Sequence, residues 1–103
     1  MLARWRVDRH PQRLEADAAV RRSAAHYDMA AGAWQRTLRR LADGPLEIET
    51  RRHLAEARFR AWEIGPNSRR ALAAVEALAS YVGRAPAGPE RDQAARWLNE
   101  VRP

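Results

Sequence analysis

Residues 69 to 98, RRALAAVEALASYVGRAPAGPERDQAARWL, decide the fold. Ala71, Val75, Leu78 and Val82 recur at spacings of four, three and four, with Leu72 and Ala79 beside them. Such spacing lays one apolar stripe along an α-helix. Pro86, Gly88 and Pro89 end it, because proline lacks an amide donor and its ring collides with the preceding turn. Glu90 opens a second helix, with Ala94, Trp97, Leu98 and Val101 on one face.

Upstream, Pro11 suits a first helical turn. From Gln12 to Ala42 the spacing predicts one long helix with Val20, Ala24, Tyr27, Ala31, Trp34, Leu38 and Leu41 as a heptad seam. Gly32 is the one weak point, and Asp43, Gly44 and Pro45 stop the helix. The next helix is predicted over residues 46–64, with Glu47 and Glu49 favourable against the dipole of its first turn. It carries two apolar stripes, one of Ile48, Ala55, Phe59 and Trp62 and one of Leu54, Ala57, Ala61 and Ile64, so it is expected to touch neighbours on two sides. Gly65-Pro66 ends it, and Asn67 or Ser68 caps the helix that follows. Residues 1–10 show no period and read as an N-terminal arm from which Trp5 and Val7 pack back. The expectation is an all-α domain over residues 11–103, of about four helices, without strands.

A chain of 103 residues is one small domain. Apolar residues make up 46% of it, which argues against general disorder. Much of that share is alanine, so the four tryptophans are expected to supply much of the core's bulk. The absence of cysteine excludes disulfide and thiol chemistry. The opening MLARWRVDRH has no apolar leader region, and no run approaches the roughly 18 apolar residues of a membrane span. A cytoplasmic location without a membrane span is the expectation. The net charge is +6, and all 19 basic residues are arginine. That excess admits an anionic partner such as nucleic acid. Set against thirteen acids on helical surfaces, it reads more simply as solvated faces in an arginine- and alanine-rich composition.

Segment 30–58 matches segment 74–102 at a shift of 44 residues. Ala30, Ala33 and Arg40 meet Ala74, Ala77 and Arg84; Gly44-Pro45 meets Gly88-Pro89; Arg52, Leu54, Glu56 and Arg58 meet Arg96, Leu98, Glu100 and Arg102. On these residues, and on the series Ala74, Leu78, Tyr81, Val82, Pro86, Ala94 and Leu98, the chain resembles divergent bacterial tetratricopeptide-type helical repeats of scaffold and envelope-assembly proteins. It departs from them in its period of 44, longer than the usual 34, and in lacking a proline at Ala42 and a turn near Tyr27–Ala30. The resemblance implies an antiparallel helix-hairpin stack, either an α-solenoid fragment or a small bundle. It also implies protein or peptide binding without catalysis and without a cofactor.

No catalytic constellation stands out. Glu49, His53 and Glu56 have the i, i+4, i+7 spacing of metal ligands, but His10 and His26 bring no matching carboxylates, so a solvated charge ladder is the reading. The arginine pairs at 21–22, 39–40, 51–52 and 69–70 place at most one member on a given face, since adjacent residues point about 100° apart. The expected partner surface is Arg52, Glu56 and Arg60 on one helix with Arg96 and Glu100 at the matching places on the next. Its mixed charge suits a protein or peptide better than a phosphate backbone. The expected function is a non-enzymatic interaction or scaffold module, binding a protein segment or assembling with itself through an exposed repeat edge. The alternative is an arginine-rich helical nucleic-acid-binding protein.

Overall fold

Helices form where the apolar stripes lie and end where glycine, proline and capping side chains stand. The computed structural model describes residues 11–41 and 44–102. In chain order these form α1 (Pro11–Arg21), α2 (Ala24–Arg40), α3 (Pro45–Ile64), α4 (Ser68–Arg84) and α5 (Pro89–Val101). No strand occurs among the described residues, in keeping with the all-α class. Each helix packs on the next along the chain, and α3 also touches α5. No helix among the described residues is long and apolar enough to cross a membrane. The arm at residues 1–10, with Trp5, Val7 and His10, lies outside the described residues.

The predicted long helix over residues 12–42 is two helices, which corrects the count from about four to five among the described residues. Arg22 takes a positive φ of 49°, and Ser23 turns extended to cap α2. The Ser23 hydroxyl accepts from the His26 amide at 3.3 Å and meets His26 Nδ1 at 2.9 Å. Serine competes with the helix for backbone donors, so it serves as a cap where a tertiary contact rewards a change of direction. The break removes the first step of the heptad seam. Val20 is 84% exposed, while Ala18 takes the inward place on α1. Downstream the seam holds better, with Ala31 and Trp34 buried and Tyr27 and Leu38 half-buried.

The three later breaks fall where the sequence puts them. Leu41 caps the end of α2, and Gly44 with Pro45 opens α3. Gly65 closes α3, and the Asn67 side chain accepts from the Arg70 amide at 2.8 Å to cap α4. The two stripes of α3 face two neighbours as expected. Ala55 and Phe59 join Ala74, Leu78, Tyr81, Leu98 and Val101 in one core. Leu54 and Ala57 join Ala31 and Trp34 in another. Ile64, at the end of its stripe, is exposed. Trp62 and Trp97 pack against the first core half-buried, so Trp34 is the fully buried tryptophan among the described residues.

Helices α2 and α4 are both 17 residues long and start 44 residues apart, and α3 and α5 both open on Gly-Pro at the same shift. Ala30, Trp34, Thr37 and Leu54 are buried, as are Ala74, Leu78, Tyr81 and Leu98 at the shifted places. Thr37 fills its place with a hydroxyl that donates back to the Ala33 carbonyl at 3.0 Å, so the polar atom is satisfied inside the core.

Three substitutions weigh these assignments. Trp34→Ala should lower the unfolding free energy by about 3–5 kcal/mol and Trp62→Ala by clearly less, because a fully buried aromatic leaves the larger cavity. Ser23→Ala should cost about 1 kcal/mol through the lost cap. Urea denaturation of the three variants reads both effects, and a Trp62 loss equal to that of Trp34 would contradict the burial.

Candidate functional site

Spacing by turns of a helix sets Arg52, Glu56 and Arg60 along one edge of α3. On α5 the same rule aligns Gln93, Arg96, Trp97 and Glu100. Between these edges runs a groove of about 210 Å³. Its floor is apolar, built from Ala55, Leu78, Ala94 and Trp97 with Tyr81 at one side, and its rim holds Arg52, Glu56, Glu90 and Gln93. The alanines matter here, since a larger side chain on either helix would fill the space.

Aromatic packing holds the groove open. Trp97 stacks on Phe59 at 4.6 Å and 12°, and Phe59 meets Trp62 at 5.8 Å. The Arg60 guanidinium lies 5.0 Å from the Trp97 ring and 5.7 Å from the Phe59 ring, within cation–π range. Arg60 also donates to Glu63 at 3.0 Å and stands 3.9 Å from Glu56. Arg52 is 3.8 Å from Glu49, and Arg96 donates to Gln93 Oε1 at 3.0 Å. Arg52 and Glu56 therefore line the groove itself, Arg60 reaches across to the Trp97 ring, and Arg96 touches the rim through Gln93. Glu100 is exposed on the same stripe of α5 and makes no ion pair among the described residues.

Tyr81, Glu90 and Gln93 are the polar groove residues that the sequence pattern does not single out as site residues, and Trp97 and the rest of the apolar lining join them. Tyr81 belongs to the apolar stripe of α4, and that membership was its signal. Its side chain is 4% exposed and sits near one charge of each sign. Burial pushes the phenol above its ordinary 10.0; Arg52 pulls it down and Glu90 pushes it up. The groove holds no nucleophile with an adjacent base. Its chemistry is that of an apolar slot with both signs of charge at its lip.

His53 departs from the expected charge ladder. Its ring stacks on Trp34 at 4.4 Å and 10°, and its Nδ1 meets Glu15 of α1 at 2.9 Å. Half-buried and partnered across 38 residues, it is a packing and tethering side chain rather than a partner of Glu49 and Glu56. No three His, Cys, Asp or Glu side chains converge on a metal-holding point among the described residues. The arginine pair at 51–52 divides as adjacent helical positions do, whereas both members of the pair at 69–70 border one cleft. At 51–52, Arg51 turns inward to Glu47 and to the Ser80 hydroxyl at 2.9 Å, while Arg52 faces the groove. At 69–70, Arg70 binds Asp28 of α2 and Arg69 is exposed. No family model, curated protein or solved structure matches the chain.

The Tyr81 environment carries a sign. A folded-state pKa above the unfolded value means that stability is fully present below pH 10 and falls as pH rises through the folded pKa, because the unfolded chain ionises first. Burial raises Tyr27 in the same direction. Thermal midpoints measured from pH 8 to pH 11 should therefore drop at the alkaline end. Tyr81→Phe should make that drop shallower, and an unchanged slope would place the phenol in a solvent-like setting.

Proposed function

We propose that this chain is a non-enzymatic protein-interaction module of helical-repeat type, a tetratricopeptide-like antiparallel stack of helix hairpins that docks a protein segment in the α3–α5 groove. The observation that carries the reading is the register of α2–α3 against α4–α5. Helix starts, Gly-Pro breaks and buried positions coincide at one shift, as do the lengths of α2 and α4, while α5 at 13 residues is shorter than α3 at 20. Coincidence at these levels is what a duplicated helix–break–helix unit produces, and units of this kind stack their helices to bury a shared core.

The groove supports the docking half of the proposal. A slot of about 210 Å³ with an aromatic wall takes one or two apolar side chains. A rim with both signs suits the flanks of an amphipathic helix, which reads as apolar anchors at i and i+3 or i+4 between charged residues. A nucleic-acid backbone presents one sign of charge, and Glu56 and Glu90 at the lip oppose it. Arg52, Glu56, Arg60, Arg96 and Glu100 then act as specificity contacts around Trp97.

Selection from a displayed library of amphipathic helical peptides tests this directly. The chain should enrich peptides with a central leucine or aromatic residue flanked by both an acid and a base. The double reversal Arg52→Glu with Arg96→Glu should weaken those peptides roughly tenfold, given two rim charges of up to about 1 kcal/mol each, and leave the melting midpoint nearly unchanged. Enrichment that ignores the reversal would move the docking surface elsewhere. Loss of heparin retention with peptide capture intact would favour the nucleic-acid alternative. A concentration-dependent dimer abolished by the same reversal would make a second copy the partner.

A further inference from the structure

A separate cleft lies where the start of α4 meets α2 and α3. Arg58 of α3, Arg69 and Arg70 of α4 and Asp28 of α2 line it over the small side chain of Ala73, and it encloses about 220 Å³. Arg70 is fixed in place. Its Nε and Nη2 donate to Asp28 Oδ2 at 3.1 and 2.9 Å, and its Nη1 donates to the Gly65 carbonyl at 2.9 Å. Gly65 permits that approach, because a β-carbon there would stand 2.8 Å from Nη1. Arg58 and Arg69 are different: neither makes an ion pair or side-chain hydrogen bond among the described residues. Two arginines without a counter-ion thus share a cleft with a third that is held rigid.

The balance of charge names the ligand. Three arginines against one aspartate leave two positive charges uncompensated. A phosphate monoester carries close to two negative charges near neutral pH and offers three acceptor oxygens, which guanidinium forks match in pairs. A carboxylate brings half the charge and two oxygens. A nucleic-acid strand needs a continuous positive track, and the adjoining groove toward Ser80 carries Glu76. We infer that this cleft binds a phosphate monoester, gripped by Arg58 and Arg69 and oriented by Arg70. The group comes either on a phosphorylated side chain of a partner or on a small phosphorylated molecule. The site shares no residue with the α3–α5 groove, so it stands or falls separately from the docking proposal.

Calorimetric titration of the whole chain tests it with four probes: a phosphoserine peptide with neutral flanks, its unphosphorylated twin, phosphoethanolamine and inorganic phosphate. The phosphopeptide should bind at least about tenfold tighter than its twin. Arg58→Ala and Arg69→Ala should each weaken the phosphorylated probes by about three- to tenfold. Arg58→Lys keeps the charge, loses the fork and should also weaken them, so a fold defect in the alanine variant does not decide the result. Phosphopeptide binding tighter than phosphoethanolamine assigns the source to a protein side chain, and equal binding assigns it to a small molecule. Equal affinity for the unphosphorylated twin, no response to either arginine substitution in a folded variant, or no heat from any phosphorylated probe at millimolar concentration would overturn the site. So would displacement of phosphate by oligonucleotides with affinity rising with their length.

Discussion

Alanine lines most of the interior of this protein. Ala30, Ala31, Ala33, Ala57, Ala61 and Ala74 are essentially without exposed surface, and each brings a single methyl group to its helix interface. Helices that meet through methyl groups approach closely, but they gain little buried apolar area per residue, at roughly 25 cal/mol per Å². The fold therefore depends on a few large side chains placed where alanines leave room. Trp34 and Phe59 do this on the two sides of α3, with Leu78 and Tyr81 across from Phe59. The same economy produces the candidate site. Ala55 and Ala94 stand at the α3–α5 edge, where bulkier residues would have closed the groove over Trp97.

Much of this was legible in local sequence patterns. The stripes of α4 and α5, the two-sided character of α3 and the Gly-Pro breaks all follow from periodicity and from proline's missing donor. The break at Arg22–Ser23 was hidden because a heptad spacing continues across it. Only the packing of α1 against α2 reveals that Ser23 caps a helix instead of sitting inside one. His53 departs from its sequence pattern for a related reason. Its position on α3 is polar by pattern, while its stacking on Trp34 and its bond to Glu15 come from helices far away in sequence.

The site shows the same division. Arg52, Glu56 and Arg60 are visible from spacing on one helix. Tyr81, Glu90 and Gln93 join them only because α4 and α5 fold alongside, and no single-helix pattern reports a neighbour's side chain. Arg58 and Arg69 illustrate the converse. As members of an arginine-rich surface they look interchangeable with the other cations, and what sets them apart is that they line one cleft with Arg70 while making no ion pair among the described residues. That property belongs to the packed arrangement and not to any local run of residues.

The order in which the helices touch one another has a kinetic meaning. Because each helix rests on its successor along the chain, most contacts join segments close in sequence, and chains with such local topology fold on fast timescales. During synthesis, each helix that emerges finds the surface of its predecessor already available, so little apolar area waits for a distant partner. The pairs Glu15–His53 and Asp28–Arg70 are among the exceptions, spanning 38 and 42 residues. Each can close only after the helices between its two partners have been synthesised.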